Sequence, residues 1–405
     1  MRIAVVSPFL DRQHGTERCI VEQIEHFLRR PGCEIHIYSQ SVRDLDVVRS
    51  GRSSDSPLST AKPVWHRIPT FPGPHLLNFL WWYFANQALR WFHRKFRGLG
   101  FDLIFSPGIN CTDAGAIVVH IVFQEFFRLV HHDLRLWDAP LSSWPVLLHR
   151  ILYYRLIMTL ENRVYRNPRI RLAAVSQLTA NELNTHFARQ DVSVIPNAVD
   201  LSRFSMPQRL RRRELSRKLL QLPEADFVLL LVGNDWKKKG VTPLVKAIAA
   251  VQHLPLRLLV VGRDNRAPFL EQVHRLHLDG RVLFLEPSSD IMQFYAAADV
   301  YAGPSLHDSF ALPPIEAMAC GLPVITSVTN GGSQIITEGF DGFVLSDAQD
   351  SVALSRLISR LYDQPDLRRT VGENAARTAQ SYSWERNASE TWEFLCRAAG
   401  SSHVV

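Results

Sequence analysis

Near its C-terminal third the chain reads His307-Asp308-Ser309-Phe310-Ala311-Leu312-Pro313-Pro314-Ile315-Glu316-Ala317-Met318-Ala319-Cys320-Gly321, then Leu322-Pro323-Val324-Ile325. Asp308 and Glu316 are two carboxylates with seven residues between them, most of those small, apolar or proline. A loop of this kind feeding a helix N-terminus presents unpaired amides and the positive end of a dipole, which suits an anion. A carboxylate in the first turn is also a good acceptor for sugar hydroxyls. The spacing predicts a short helix opened by Glu316 and stopped by Gly321 before a buried strand. An acidic turn that merely charges a helix start reads the same way, so spacing alone does not choose.

A second segment narrows the choice. Val232-Gly233-Asn234-Asp235-Trp236-Lys237-Lys238-Lys239-Gly240-Val241 follows an apolar strand. A glycine turn with lysines at a helix start lets amides and ammonium groups converge on a diphosphate. Three lysines on a surface are more often simply solvated; their place after a buried strand favours the anion site. In the first half, Ser7 to Arg18 forms the turn after the first strand, with His14 and Gly15 in it, and His120 closes the run Ile117-Val118-Val119-His120. A lone glycine before a helix, or a lone strand-end histidine, is by itself an ordinary structural feature.

The elements that must position these groups follow from periodicity. Strands are predicted at 3–6, 35–38, 103–105, 117–123, 172–175 and 192–195, then at 227–232, 256–261, 282–285, 300–302, 324–325 and 343–345. Fully apolar runs such as Val228-Leu229-Leu230-Leu231-Val232 imply burial on both faces, hence parallel sheets covered by helices. At 405 residues, two domains are expected. The pattern gives an α/β protein of two doubly wound, Rossmann-like lobes facing across a cleft, with boundaries at 1–200, 201–382 and a closing helix at 383–405. Pro196-Asn197-Ala198-Val199-Asp200 reads as the hinge, and residues 40–75 as a long surface insertion.

Hydrophobic content of 46% with 21% charged residues excludes a disordered chain. Five cysteines without a CxxC pair make a thiolate metal site improbable and fit free thiols. No signal peptide or transmembrane span is expected, so a cytoplasmic protein is. The net charge of +7 is concentrated in residues 1–200, with 23 basic against 17 acidic residues, while 201–405 carry 23 against 22. That asymmetry fits an acidic acceptor or membrane on the first lobe; no nucleic-acid-binding pattern accompanies it. Leu76 to Phe84 are aromatic-rich and are followed by Arg90-Trp91-Phe92-His93-Arg94-Lys95-Phe96-Arg97, so residues 76–97 read either as an interfacial helix or as a core helix with a basic end.

The stretch from Pro304 to Leu345, with Asn330-Gly331-Gly332-Ser333-Gln334 and Glu338-Gly339-Phe340-Asp341-Gly342 behind the two carboxylates, resembles the donor-binding signature of family-4 retaining glycosyltransferases. The Gly233–Val241 segment resembles that family's diphosphate segment as spelled in lipopolysaccharide-core glucosyltransferases, with Lys239 as the matching lysine. Val175-Ser176 and Val194 to Asp200 match further landmarks. The resemblance covers 172–385 specifically and the earlier residues more loosely. It implies the GT-B fold and a nucleoside-diphosphate sugar, UDP-sugar favoured and GDP-sugar possible, as co-substrate. By it, Lys239, with Gly233, Asn234 and Lys238, would hold the diphosphate, and Glu316 the ribose. Asp308 with the amides of Phe310, Ala311 and Leu312 would hold the sugar; Gly15 and His120 would meet donor groups from the first lobe. No metal ligand set and no cofactor are implied, the acceptor being a glycan or lipid-linked molecule of envelope or polysaccharide biosynthesis.

The chain also departs from the family. Asn234 stands in place of an arginine, Asp308 of a glutamate, Ser309 and Ala311 of glycines, and Gln334 of a glutamate. These departures keep a nucleotide-sugar-binding protein without transfer activity as the alternative. A glycoside hydrolase suits the loop-borne carboxylates less well, and a nicotinamide oxidoreductase lacks G-x-G-x-x-G after either first strand.

Overall fold

The computed structural model describes residues 1–49, 62–70, 73–131, 140, 142 and 144–402. It divides into two compact units, Met1–Ile195 with Asn387–Val405, and Pro196–Arg386.

In the first unit the strands are β1 (Arg2–Val6), β2 (Phe9–Leu10), β3 (Glu34–Ser39), β4 (Ser41–Val42), β5 (Val48–Arg49), β6 (Val64–Arg67), β7 (Leu103–Ser106), β8 (Ala116–Val119), β9 (Arg171–Ala174) and β10 (Ser193–Val194). Eight of them form one parallel sheet in the order β10-β9-β8-β7-β1-β3-β6-β5, and β2 pairs with β4. Helices α1 (Gly15–Phe27), α2 (His75–Arg97), α3 (Phe123–Val130), α4 (Trp144–Tyr165) and α5 (Gln177–Phe187) cover it. Strand order reverses between β1 and β7, so the loops after those two strands open on a switch point.

In the second unit come α6 (Met206–Leu219), β11 (Phe227–Val232), α7 (Val241–Ala250), β12 (Leu256–Val261), α8 (Ala267–Arg275), β13 (Val282–Leu285), α9 (Met292–Ala297), β14 (Val300–Ala302), α10 (Leu312–Ala319), β15 (Val324–Ser327), β16 (Phe343–Leu345), α11 (Ser351–Asp363) and α12 (Pro365–Ala379). The parallel sheet runs β13-β12-β11-β14-β15-β16. Val228 to Leu231 are completely buried, as two-sided cover by helices requires. Here the reversal lies between β11 and β14. The last helix, α13 (Trp384–Ser402), joins the first unit from Asn387 onward. Gln23 Nε2 donates to Asn387 Oδ1 at 2.9 Å, and the Phe27 and Trp392 rings lie 5.4 Å apart.

Three expectations change. The strand expected at 117–123 ends at Val119, because the Glu161 carboxylate accepts the amides of Phe123 (2.7 Å) and Gln124 (3.0 Å) and starts α3 there. The insertion expected at 40–75 contributes β6 to the sheet, paired with β3 and anchored by Trp65, whose Nε1 donates to Ser39 O at 3.1 Å; residues 50–61 and 71–72 of it lie outside the described residues. Arg90, expected in a solvated basic cluster, is buried and ion-paired with Asp113 at 2.5 Å.

Candidate functional site

The two carboxylate and lysine segments meet at the switch point of the second unit. After β11 the chain turns at Gly233, and Trp236 drops into the core, fully buried against Phe269 and Phe284. Its Nε1 donates to Gly233 O at 2.9 Å and its amide donates to Asp264 Oδ2 at 2.7 Å. This anchoring shapes the turn that carries the lysines. Lys239 Nζ then lies 2.5 Å from Asp308 Oδ2, both side chains less than one-fifth exposed. Gly240 follows with φ +80°, and a Cβ there would fall 2.0 Å from Pro304 O. Only glycine permits this contact between the lysine turn and the loop after β14. At Gly233 a Cβ would sit 2.9 Å from Lys239 Cε, so that glycine makes room for the lysine stem.

The other lysine-turn candidates are engaged elsewhere. Lys238 pairs with Asp235 at 2.7 Å, while its carbonyl accepts the amide of Leu306 at 2.7 Å. Asn234 Oδ1 accepts the amide of Arg263 at 2.8 Å and ties the turn to the loop after β12. Of the lysine run, Lys239 is the residue the structure brings to Asp308.

Asp308 is held by its backbone. Its amide donates to Thr329 O at 3.0 Å, and its carbonyl accepts from Gly331 at 2.7 Å. Fully buried Asn330 completes the frame: Oδ1 accepts the amides of Gly332 (3.0 Å) and Ala311 (3.4 Å), and Nδ2 donates to Thr326 Oγ1 at 3.1 Å. The Ala311 amide, expected to face a sugar, is therefore committed to Asn330. Helix α10 opens at Leu312, with Pro313 and Pro314 next, so it starts four residues before Glu316. The prolines fit because a first turn does not use those donors, and they pre-set φ for the helix. Glu316 thus lies one turn into α10 and not at its start. It is nearly buried, and Oε2 accepts from the Tyr295 hydroxyl at 2.7 Å. Phe310 is buried, and its carbonyl accepts from Asn197 Nδ2 at 3.3 Å. Gln334 is exposed in the short 3-10 turn Gly331–Ile335.

In the first unit, Gly15 is the first residue of α1, and a Cβ there would meet nothing within 4 Å. Asp11 shapes the approach by accepting the amides of Gln13 (2.9 Å) and His14 (3.0 Å) and a bond from the His14 ring (2.9 Å). Burial pushes the Asp11 carboxyl up, but these His14 and Gln13 hydrogen bonds outweigh it and hold the group below its ordinary value. His120 follows β8. Burial pushes its imidazole down to about 4, so the ring is neutral near pH 7, and Nε2 is buried without a hydrogen-bond partner among the described residues. Among the described residues no group of three or more potential ligands could hold a metal.

Sequence reasoning overlooked Trp236, Asn330 as a frame, and Tyr295. The first was visible as the aromatic inside the lysine turn. Tyr295 carries no local signal, since its contact with Glu316 spans 21 residues.

Comparisons with known proteins agree with this architecture. The family model described as Glycosyltransferase Family 4 matches residues 14–203, and that described as Glycosyl transferases group 1 matches 212–378. A D-inositol 3-phosphate glycosyltransferase of Salinispora arenicola is 33% identical over 249 residues, 57% of this chain and 55% of that protein. One from Corynebacterium glutamicum is 32% identical over 246 residues, 58% of each chain. The chain therefore spans little more than half the length of these curated relatives. Among solved structures, WaaG, a glycosyltransferase involved in lipopolysaccharide biosynthesis, matches with TM-score 0.76 at 19% identity, covering 97% of this chain and 99% of that one. HepE of Anabaena, solved with UDP and glucose, matches with TM-score 0.68 at 19% identity and the same coverage. At that identity the likeness establishes the fold, two parallel-sheet lobes of GT-B type. With one glycosyltransferase model on each half in chain order, the chain belongs to the family-4 glycosyltransferases.

Proposed function

We propose that the chain transfers a sugar, with retention, from a nucleoside-diphosphate sugar to a glycan or lipid-linked acceptor. The observation that carries this reading is the meeting of Lys239 with Asp308 at the switch point, one helical segment from Glu316. Lys239 is the cation for the departing diphosphate, Asp308 the acceptor for sugar hydroxyls and Glu316 the acceptor for the ribose. Catalysis is then positioning plus stabilisation of charge on the leaving group, and no protein base is required. A lysine with helix-start amides can neutralise a diphosphate without a metal, so turnover should persist in EDTA. A UDP-sugar is favoured as donor, in line with the UDP and glucose in HepE. The test is product formation from labelled UDP-sugars and an extract of envelope lipids and glycans, in chelator. Transfer supports the reading. Nucleotide-sugar binding without transfer supports a binding protein, and loss in EDTA restored by magnesium contradicts the metal-free site.

Peripheral docking on an acidic membrane belongs to the same reading. No described helix is long and apolar enough to cross a membrane. Yet α2 leaves Trp81, Phe84, Trp91, Phe92 and Phe96 exposed, up to 63% for Phe84, while Trp82 and Tyr83 pack inward. Lys95 Nζ lies 4.9 Å from the Trp91 ring. Exposed rings beside cations are the equipment of an interfacial helix.

A further inference from the structure

We infer that Tyr295 is a positioning residue for the donor-site carboxylate Glu316; the inference rests on the reading of Glu316 as the ribose acceptor. A nearly buried carboxylate is costly unless hydrogen bonds replace its water, and the bonds it receives decide where its oxygens point. Tyr295 supplies one such bond: its hydroxyl donates to Glu316 Oε2 at 2.7 Å. The tyrosine is fully buried, and burial together with the Glu316 charge raises its ionisation well above the ordinary phenol range. It therefore stays a donor to the carboxylate throughout the physiological range. Its ring is fixed edge-on by Phe204, centroids 5.5 Å apart at 84°.

The helices that bring the pair together are themselves tied at their C-terminal ends by α6. Arg217 Nε donates to Ala297 O at 3.1 Å and Arg213 Nη1 to Ala298 O at 2.9 Å, both at the end of α9, which carries Tyr295. Arg209 Nε donates to Cys320 O at 2.7 Å, at the end of α10, which carries Glu316. Arginines on terminal carbonyls satisfy acceptors that a helix leaves open and complement its dipole. Helix α9 has only six residues, so its position depends on such outside contacts. The basic run of α6 thus fixes two helices whose side chains meet at Tyr295 and Glu316.

Titration of UDP and of 2′,3′-dideoxyuridine diphosphate into wild type and Tyr295→Phe tests this. Wild type should prefer UDP. Tyr295→Phe should weaken UDP about tenfold, the usual scale for a hydrogen bond to a charged group, and leave the dideoxy analogue unchanged. With the cognate sugar donor, KM should rise and kcat at saturation should hold. Equal weakening of both nucleotides would make Tyr295 a general packing residue, and no change in either would remove its role; both overturn the inference. A wild type that treats the two nucleotides alike overturns the ribose reading of Glu316 instead. The dideoxy arm also reports any loss of fold in the variant.

Discussion

Lys239 and Asp308 are 69 residues apart in sequence and 2.5 Å apart in space, one on the loop after β11 and the other on the loop after β14. These are the two strands at which the second sheet reverses its order. On the proposed function, an ammonium group paired with a carboxylate at that point would give the donor two complementary handles, a cation for phosphate and an anion for hydroxyls. A diphosphate bound there would then compete with Asp308 for the same lysine.

That competition has a measurable sign. Asp308→Asn relieves the pair, so affinity for free UDP should hold or rise while turnover of the UDP-sugar falls. Lys239→Ala should weaken UDP roughly tenfold to a hundredfold, as loss of a charge-assisted bond does. Calorimetric titration of both variants distinguishes them; parallel losses of UDP affinity would contradict separate roles.

Two glycines separate fold from function. Gly240→Ala forces a Cβ to within 2.0 Å of Pro304 O at positive φ, and should lower stability by several kcal/mol, about 3 or more. Gly15→Ala meets open space and should leave the melting temperature within a degree or so of wild type, about ±0.5 kcal/mol. If Gly15 approaches the donor, that variant loses turnover without losing stability. A fully active Gly15→Ala would remove the residue from the site.

The first unit should lose stability in acid. His66 lies in a buried cluster: its Nε2 is 2.8 Å from His36 Nδ1, and its own Nδ1 has no hydrogen-bond partner among the described residues. Burial, with the neighbouring His36 and His93, pushes His66 down to about 3, and burial lowers His93 as well. An unfolded histidine titrates near 6.5, so the unfolded chain binds more protons below that value. The stabilisation is complete above about 6.5 and is lost as pH falls toward 3, by up to roughly 1.4 kcal/mol per unit for each fully buried histidine. His66→Gln should flatten the decline of melting temperature between pH 6.5 and 4; an unchanged slope would contradict this.

Membrane docking is tested by sedimentation with vesicles of phosphatidylglycerol and phosphatidylethanolamine. Trp91→Ser with Phe96→Ser, or Arg94, Lys95 and Arg97 changed to glutamate, should release the protein, the charge variants most at low salt. Arg90 is left intact because it pairs internally with Asp113. Binding that is absent in wild type, or insensitive to both variants, returns α2 to an ordinary packed helix.

The strands of both sheets were legible because two-sided burial writes them as apolar runs; Phe227–Val232 and Leu256–Val261 coincide with β11 and β12. Strand β6 was hidden because Val64-Trp65-His66-Arg67 mixes polar residues into a short run, which only pairing with β3 identifies as strand. The start of α10 was misplaced by the charge of Glu316: in the fold the consecutive prolines mark the first turn, and the carboxylate lies a turn inside. Lys239 and Asp308 were legible as residue types in their segments. Tyr295, the Asn330 frame and the arginine ties of α6 were not, since each acts through contacts distant in sequence.

The central claim is that the second unit is a nucleotide-sugar site built on Lys239, Asp308 and Glu316. The most direct measurement is a thermal-shift titration of wild type, Lys239→Ala and Glu316→Gln against UDP-, GDP- and ADP-sugars. A ligand that binds the folded state raises the melting temperature with concentration, by about 2.7 kcal/mol of stability at a hundredfold excess over Kd. The account predicts a concentration-dependent rise for one nucleotide class, UDP favoured, in wild type, and a rise at least several-fold right-shifted in both variants. No rise with any nucleotide sugar, or the same rise in all three proteins, would contradict it.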